Sequence, residues 1–72
     1  LTLSIPMHII LNGDTHEVER EWSIAELLVS LDLANKPVVV ELDGRALNRK
    51  ELSSSAMAQG SRVEIVVLSA GG

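Results

Sequence analysis

The residues best placed to do chemistry stand at one end of the chain, which closes "VEIVVLSAGG". Gly71 and Gly72 add almost no width to the backbone, so a carboxylate on Gly72 could thread a channel too narrow for side chains. Four residues beyond a strand ending near Leu68 reach about 13 to 14 Å when extended. A free carboxylate is a poor electrophile until a second enzyme turns it into a mixed anhydride such as an acyl-adenylate. A terminus of this shape is a substrate handle, offered to the active site of another protein.

The other reactive side chains form no comparable set. His8 and His16 could face each other across the first hairpin. Two imidazoles without cysteine or a well-placed carboxylate make a weak metal site, so a solvated or hydrogen-bonded pair is expected and no metal. Serines are plentiful, but no GxSxG elbow accompanies them. Neither a Walker loop nor GxGxxG occurs; Gly13, Gly44 and Gly60 read as turn glycines. The chain has no cysteine, which removes disulfides, thiolate metal sites and cluster ligation together. A chain this short has little room for an enclosed ligand pocket. The residues thus point away from an enzyme and toward a partner of one, with no bound cofactor.

Composition narrows the partners. Seventy-two residues make one domain near the lower limit for an unstapled core. With 46% hydrophobic residues and Trp22 as the only aromatic, that core must be aliphatic. A net charge of −4 argues against nucleic acid, which needs a basic surface. Residues 1–35 hold six acids and one base, whereas residues 36–72 hold four acids and five bases, a polarity that could orient a protein partner. No apolar run approaches the roughly 20 residues of a membrane span, and residues 1–10 lack a signal-peptide pattern. A cytoplasmic protein with no membrane attachment is expected.

The elements that must position the terminus can be read in order. Alternating apolar residues through Met7, Ile9 and Leu11 predict a first strand, started at Met7 because Pro6 cannot donate to a ladder. Asn12-Gly13-Asp14 supplies the turn, and "THEVER" the return strand with Val18 inward. Ser23 and Glu26 have capping-box spacing, with Trp22 and Leu27 as the staple. Ile24, Leu27, Leu28 and Leu31 then form one stripe of a helix over 24–32. "VVVEL" after Pro37 reads as a strand buried on both faces. Asp43-Gly44 is a turn, "RAL" a short strand at most, and Asn48 with Glu51 caps one helical turn. After a polar loop closing at Gly60-Ser61, "RVEIVVL" is the last strand, with Val63, Ile65 and Val67 on one face and Glu64, Val66 and Leu68 on the other.

A hairpin covered by one helix, then a right-handed crossover that places "VVVEL" or "RVEIVVL" parallel to the first strand, gives an α+β chain with the ubiquitin-like β-grasp fold. The expected sheet is mixed, with four to five strands under one main helix and the last strand inside it. Residues 7–68 would form the domain and residues 69–72 a flexible, extended tail.

The combination of "MHIILNGD", "SIAELLVSLDL", "PVVVELDGRALNRKEL" and "QGSRVEIVVLSAGG", in that order from residue 7 to residue 72, resembles the ThiS-type sulfur carriers of thiamine biosynthesis. In that family Met7 is where a member would start, leaving residues 1–6 as an N-terminal extension, an alternative start or added residues. "QGS" stands where the family often has "DGD", and Leu68-Ser69 precedes "AGG". The resemblance implies a protein co-substrate rather than a catalyst. An E1-like adenylyltransferase of the ThiF type would use Mg-ATP to adenylate Gly72. A persulfide sulfur donor would then replace AMP, and the thiocarboxylate would serve a thiazole synthase of the ThiG type. Gly71 and Ala70 would give clearance, while Val66 and Leu68 are candidates for partner docking or for ordinary packing. The small subunit of molybdopterin synthase shares the terminal chemistry, though its members tend to be longer and richer in phenylalanine. A ubiquitin-type modifier and an inert β-grasp interaction domain are the remaining alternatives.

Overall fold

The structure, a computed structural model, describes residues 5–68. In chain order it comprises β1 (Met7–Leu11), β2 (Asp14–Val18), α1 (Ile24–Ser30), β3 (Val38–Leu42), β4 (Arg45–Ala46), α2 (Glu51–Ser54) and β5 (Arg62–Val67). The five strands form one sheet in the order β2-β1-β5-β3-β4. β5 runs parallel to β1 and antiparallel to β3, so the last strand lies at the centre of a mixed sheet. This is the β-grasp arrangement, and of the two later strands it is "RVEIVVL" that lies parallel to the first.

Local chemistry builds both hairpins. Asn12 and Gly13 sit at φ 48° and 88°, and Asp43 and Gly44 at 49° and 84°. Two consecutive positive φ values are what a type I′ turn demands, and its twist matches that of the flanking strands. The loop of two residues fixes the register of the first hairpin, with Leu11 opposite Asp14 and Met7 opposite Val18.

α1 starts where its capping box does. The Glu26 backbone N–H donates to Ser23 Oγ at 3.2 Å, and the Ser23 N–H donates to Glu26 Oε1 at 3.1 Å. Two orphan donors are satisfied reciprocally. The helix ends two residues earlier than its stripe predicts. The Leu33 N–H returns to the Leu28 carbonyl and Asp32 N–H to that of Val29, a Schellman closure with Asp32 at φ 60°. α2 carries a similar reciprocal pair: Glu51 N–H donates to Asn48 Oδ1 at 3.0 Å and Asn48 N–H to Glu51 Oε1 at 2.9 Å. That backbone donation first, and the Arg45 guanidinium 2.6 Å away second, hold the Glu51 carboxyl below the usual carboxylate range.

One core lies between the helix and a single face of the sheet. Met7, Ile9, Val18, Val40, Val63 and Ile65 from the strands meet Ile24, Leu27 and Leu28 from α1. Trp22 and Leu31 pack at its margin. Met57 also belongs to it, from inside the stretch read as a polar loop. The loop is tied down by backbone bonds from Ile24 N–H to the Ser55 carbonyl and from Met57 N–H to the Trp22 carbonyl. Only one face is covered, and this corrects the expectation for β3. Val40 is buried, whereas Val39 and Glu41 are exposed on the other side. No helix among the described residues is long and apolar enough to cross a membrane.

Asn12 has a second task besides its turn. β1 leaves the sheet there, so β5 loses its neighbour, and the side-chain amide takes the vacated lane. Asn12 Oδ1 accepts from Ile65 N–H at 2.8 Å, and Nδ2 donates to the Ile65 carbonyl at 3.2 Å. Asn12→Gly keeps the backbone conformation but loses both bonds, at an expected cost of about 1–3 kcal/mol. Asn12→Ala adds the left-handed penalty of roughly 1–2 kcal/mol. Urea unfolding of the two variants should rank Gly between wild type and Ala. Equal stability of wild type and Asn12→Gly would mean that the amide clamp contributes nothing.

Candidate functional site

The tail root inherits its position from β5. Val63 and Ile65 point into the core, and the pairs Val40 with Ile65 and Leu42 with Val63 lock the strand to β3. β5 pairs to its end: Leu68 N–H donates to the Pro37 carbonyl at 2.8 Å. A central strand buried on one face and paired on one side to its last residue is a stiff platform for whatever follows it. Gly72, Gly71 and Ala70 lie outside the described residues, as does the tail over 69–72.

Strand alternation puts Arg62, Glu64 and Val66 on the uncovered face, as the sequence pattern predicts. Val66 is 58% exposed and Leu68 48%. Val39, directly opposite Val66, is 43% exposed. Val67 shares the inner-face register of Val63 and Ile65, yet at 48% exposure it has passed beyond the core. The tail root is therefore flanked by an open apolar patch of Val39, Val66 and Leu68 on the uncovered face, with Val67 exposed on the other. Beside the patch, the same register sets Glu41 directly opposite Glu64.

Val39 and the glutamate pair are the site residues that sequence reading missed. The signal was present: in "VVVEL", Val39 and Glu41 are two apart and must share a face. A face that carries Glu41 in mid-strand is a solvent face, so Val39 had to be exposed with it.

The two histidines do not meet. The hairpin register pairs His8 with Glu17 and His16 with Ile9, and residues one apart point to opposite faces. His8 Nε2 lies 3.7 Å from Glu17 Oε1 on the outer face, while His16 borders the core side. Among the described residues no three His, Cys, Asp or Glu side chains gather closely enough to hold a metal, and no pocket opens.

Fold and tail root together define a ubiquitin-like β-grasp protein. The family model for the ThiS family matches residues 9–72. The chain belongs to the ThiS family. Among solved structures it is similar to the crystal structure of the thiamine biosynthesis protein ThiS from Geobacter metallireducens. The two share 30% identity over 92% of this chain and 100% of that one, with a TM-score of 0.78. Comparison with curated proteins gives no match.

Proposed function

We propose that this chain is a sulfur carrier for thiamine biosynthesis, acting as a protein co-substrate in the cytoplasm. The observation that supports this most is a family match running through Gly72, on a domain whose central strand leads directly into that terminus. A carboxylate oxygen of Gly72 attacks the α-phosphorus of Mg-ATP in an E1-like adenylyltransferase of the ThiF type, and pyrophosphate leaves. The terminal sulfur of a donor persulfide then attacks the acyl carbon, and AMP leaves. A thiol reduces the resulting acyl disulfide, becoming disulfide-bonded itself and freeing a thiocarboxylate on Gly72. That sulfur goes to a thiazole synthase of the ThiG type.

β5 holds the root of the tail, and Val66 and Leu68 dock the partner. Beyond the described residues, the small side chains of Gly71 and Ala70 would give the terminus clearance in a narrow channel. Mg-ATP belongs to the activating enzyme, so the carrier itself needs no cofactor. The test is intact mass after incubation with Mg-ATP, the cognate adenylyltransferase and a sulfide source. The expected gain is that of one oxygen replaced by sulfur, located in the C-terminal peptide. No gain, with an adenylyltransferase competent on another carrier, would sink the proposal. Incubating the loaded carrier with thiazole synthase and with molybdopterin synthase then identifies the acceptor.

A further inference from the structure

The uncovered sheet face is graded along its strands. Nearest the tail root stand Val39 and Val66 as a direct cross-strand pair, and two residues further along stand Glu41 and Glu64 as the next pair on the same face. Each step of two residues is about 7 Å. Like charges directly opposite on neighbouring strands oppose folding. Neither Glu41 nor Glu64 takes part in an ion pair among the described residues. Arg62, two residues before Glu64 on the same face, forms no ion pair with either. The sheet thus holds an acidic pair with no ion-pair partner among the described residues, beside an open apolar patch, on β5 and its neighbour β3.

We propose that this face docks a partner surface with an apolar strip flanked by a pair of Lys or Arg side chains, and that the cations meet Glu41 and Glu64. The proposal rests on the sulfur-carrier reading and names the feature of the activating enzyme that the carrier recognises. Charge selects this occupant over others. Nucleic acid and anionic lipid would bring phosphates against two carboxylates. A second copy packed face to face about a two-fold axis would bring four glutamates of this face into one interface against two Arg62 side chains. A basic protein surface relieves a repulsion that the folded carrier otherwise bears alone.

The geometry also fixes an order. The apolar pair lies next to the tail root and the acidic pair lies behind it, so cations seated on the glutamates set the direction in which β5 presents Leu68 to the partner. Charges of this kind act through encounter rate and orientation, and their effect falls with salt.

The experiment measures ATP–pyrophosphate exchange by the cognate E1-like adenylyltransferase, with carrier concentration varied, at low and at physiological salt. The E41Q/E64Q double variant should raise the KM for carrier about 3- to 30-fold at low salt and flatten its salt dependence. E41K/E64K should raise it further. Thermal unfolding is run on the same samples. Removing the like-charge pair should leave the Gln variant at least as stable as wild type, so a higher KM cannot be ascribed to misfolding. An unchanged KM and salt slope in E41Q/E64Q would overturn the docking proposal and leave the carrier reading intact. So would a loss confined to kcat. Wild-type sedimentation as a dimer that Val66→Asp disperses would assign the face to self-association instead. Failure of wild type to support exchange, with a competent enzyme, would overturn both.

Discussion

Deleting Gly72 is expected to abolish adenylation and sulfur loading while leaving thermal unfolding where it was. The shortened chain still ends in a carboxylate on a glycine, so neither charge nor width changes. What changes is reach: one residue of extended chain is about 3.3–3.6 Å. Reacting atoms must approach to about 3–3.5 Å in line, and a misplacement near 1 Å can already cost 10²-fold in rate. A deficit three times larger, with the domain held back by its docked sheet face, leaves the carboxylate short of the α-phosphorus. Stability should not follow, because every buried core residue among the described residues lies between Met7 and Ile65. Pyrophosphate exchange and a melting curve on one preparation test both halves. Retained exchange would show that reach does not limit the reaction, the new Gly71 carboxylate being adenylated instead. A lowered melting temperature would show that the tail packs on the domain.

The parts of this molecule that short-range chemistry decides could be read before any coordinates. Asn12-Gly13, Asp43-Gly44, the Ser23/Glu26 cap and the Asn48/Glu51 pair each involve residues within three positions of one another, and each forms as its residue types require. The inward set Val63 and Ile65 followed from alternation alone. What escaped were contacts between distant parts of the chain. Asn12 and Ile65 are 53 positions apart, and nothing in "NGD" says that its amide will finish a strand from the other end of the sequence. Met57 sits among serines and alanines, so no periodicity marks it, yet its own backbone bond to Trp22 and the Ser55 bond to Ile24 draw it into the core. The valine run in β3 suggested burial on both faces, but there is a single layer of helix to cover the sheet, and one face stays open. The candidate site divides in the same way. The Gly-Gly terminus was legible from composition, while the patch of Val39 with Val66 and the pairing of Glu41 with Glu64 exist only once the register of β3 on β5 is set.

Leu28→Ala should do the opposite of removing Gly72, damaging stability and sparing the chemistry of whatever remains folded. Leu28 is 4% exposed and sits between Leu27 and the Schellman closure, whose Leu33 N–H returns to the Leu28 carbonyl. Truncating a buried leucine costs about 2–5 kcal/mol, the upper end applying where neighbours cannot collapse into the void. Here they have little freedom: the opposing wall is the central sheet, pinned by β5 on both sides. A domain of this length has only about 4–11 kcal/mol of stability in all. The variant should therefore melt roughly 10 to 30 °C lower, and at the upper end it would be substantially unfolded at room temperature. Because Leu28 faces the core from the side away from Val39, Val66 and Leu68, the folded fraction should keep the wild-type KM for the activating enzyme. The KM is computed on folded carrier, with the fraction taken from the urea curve. A rise in that corrected KM would mean that α1 sets the shape of the docking face through the sheet. A melting temperature close to wild type would mean that the aliphatic core is loose enough to fill the gap, and that the marginal size of the domain is offset elsewhere.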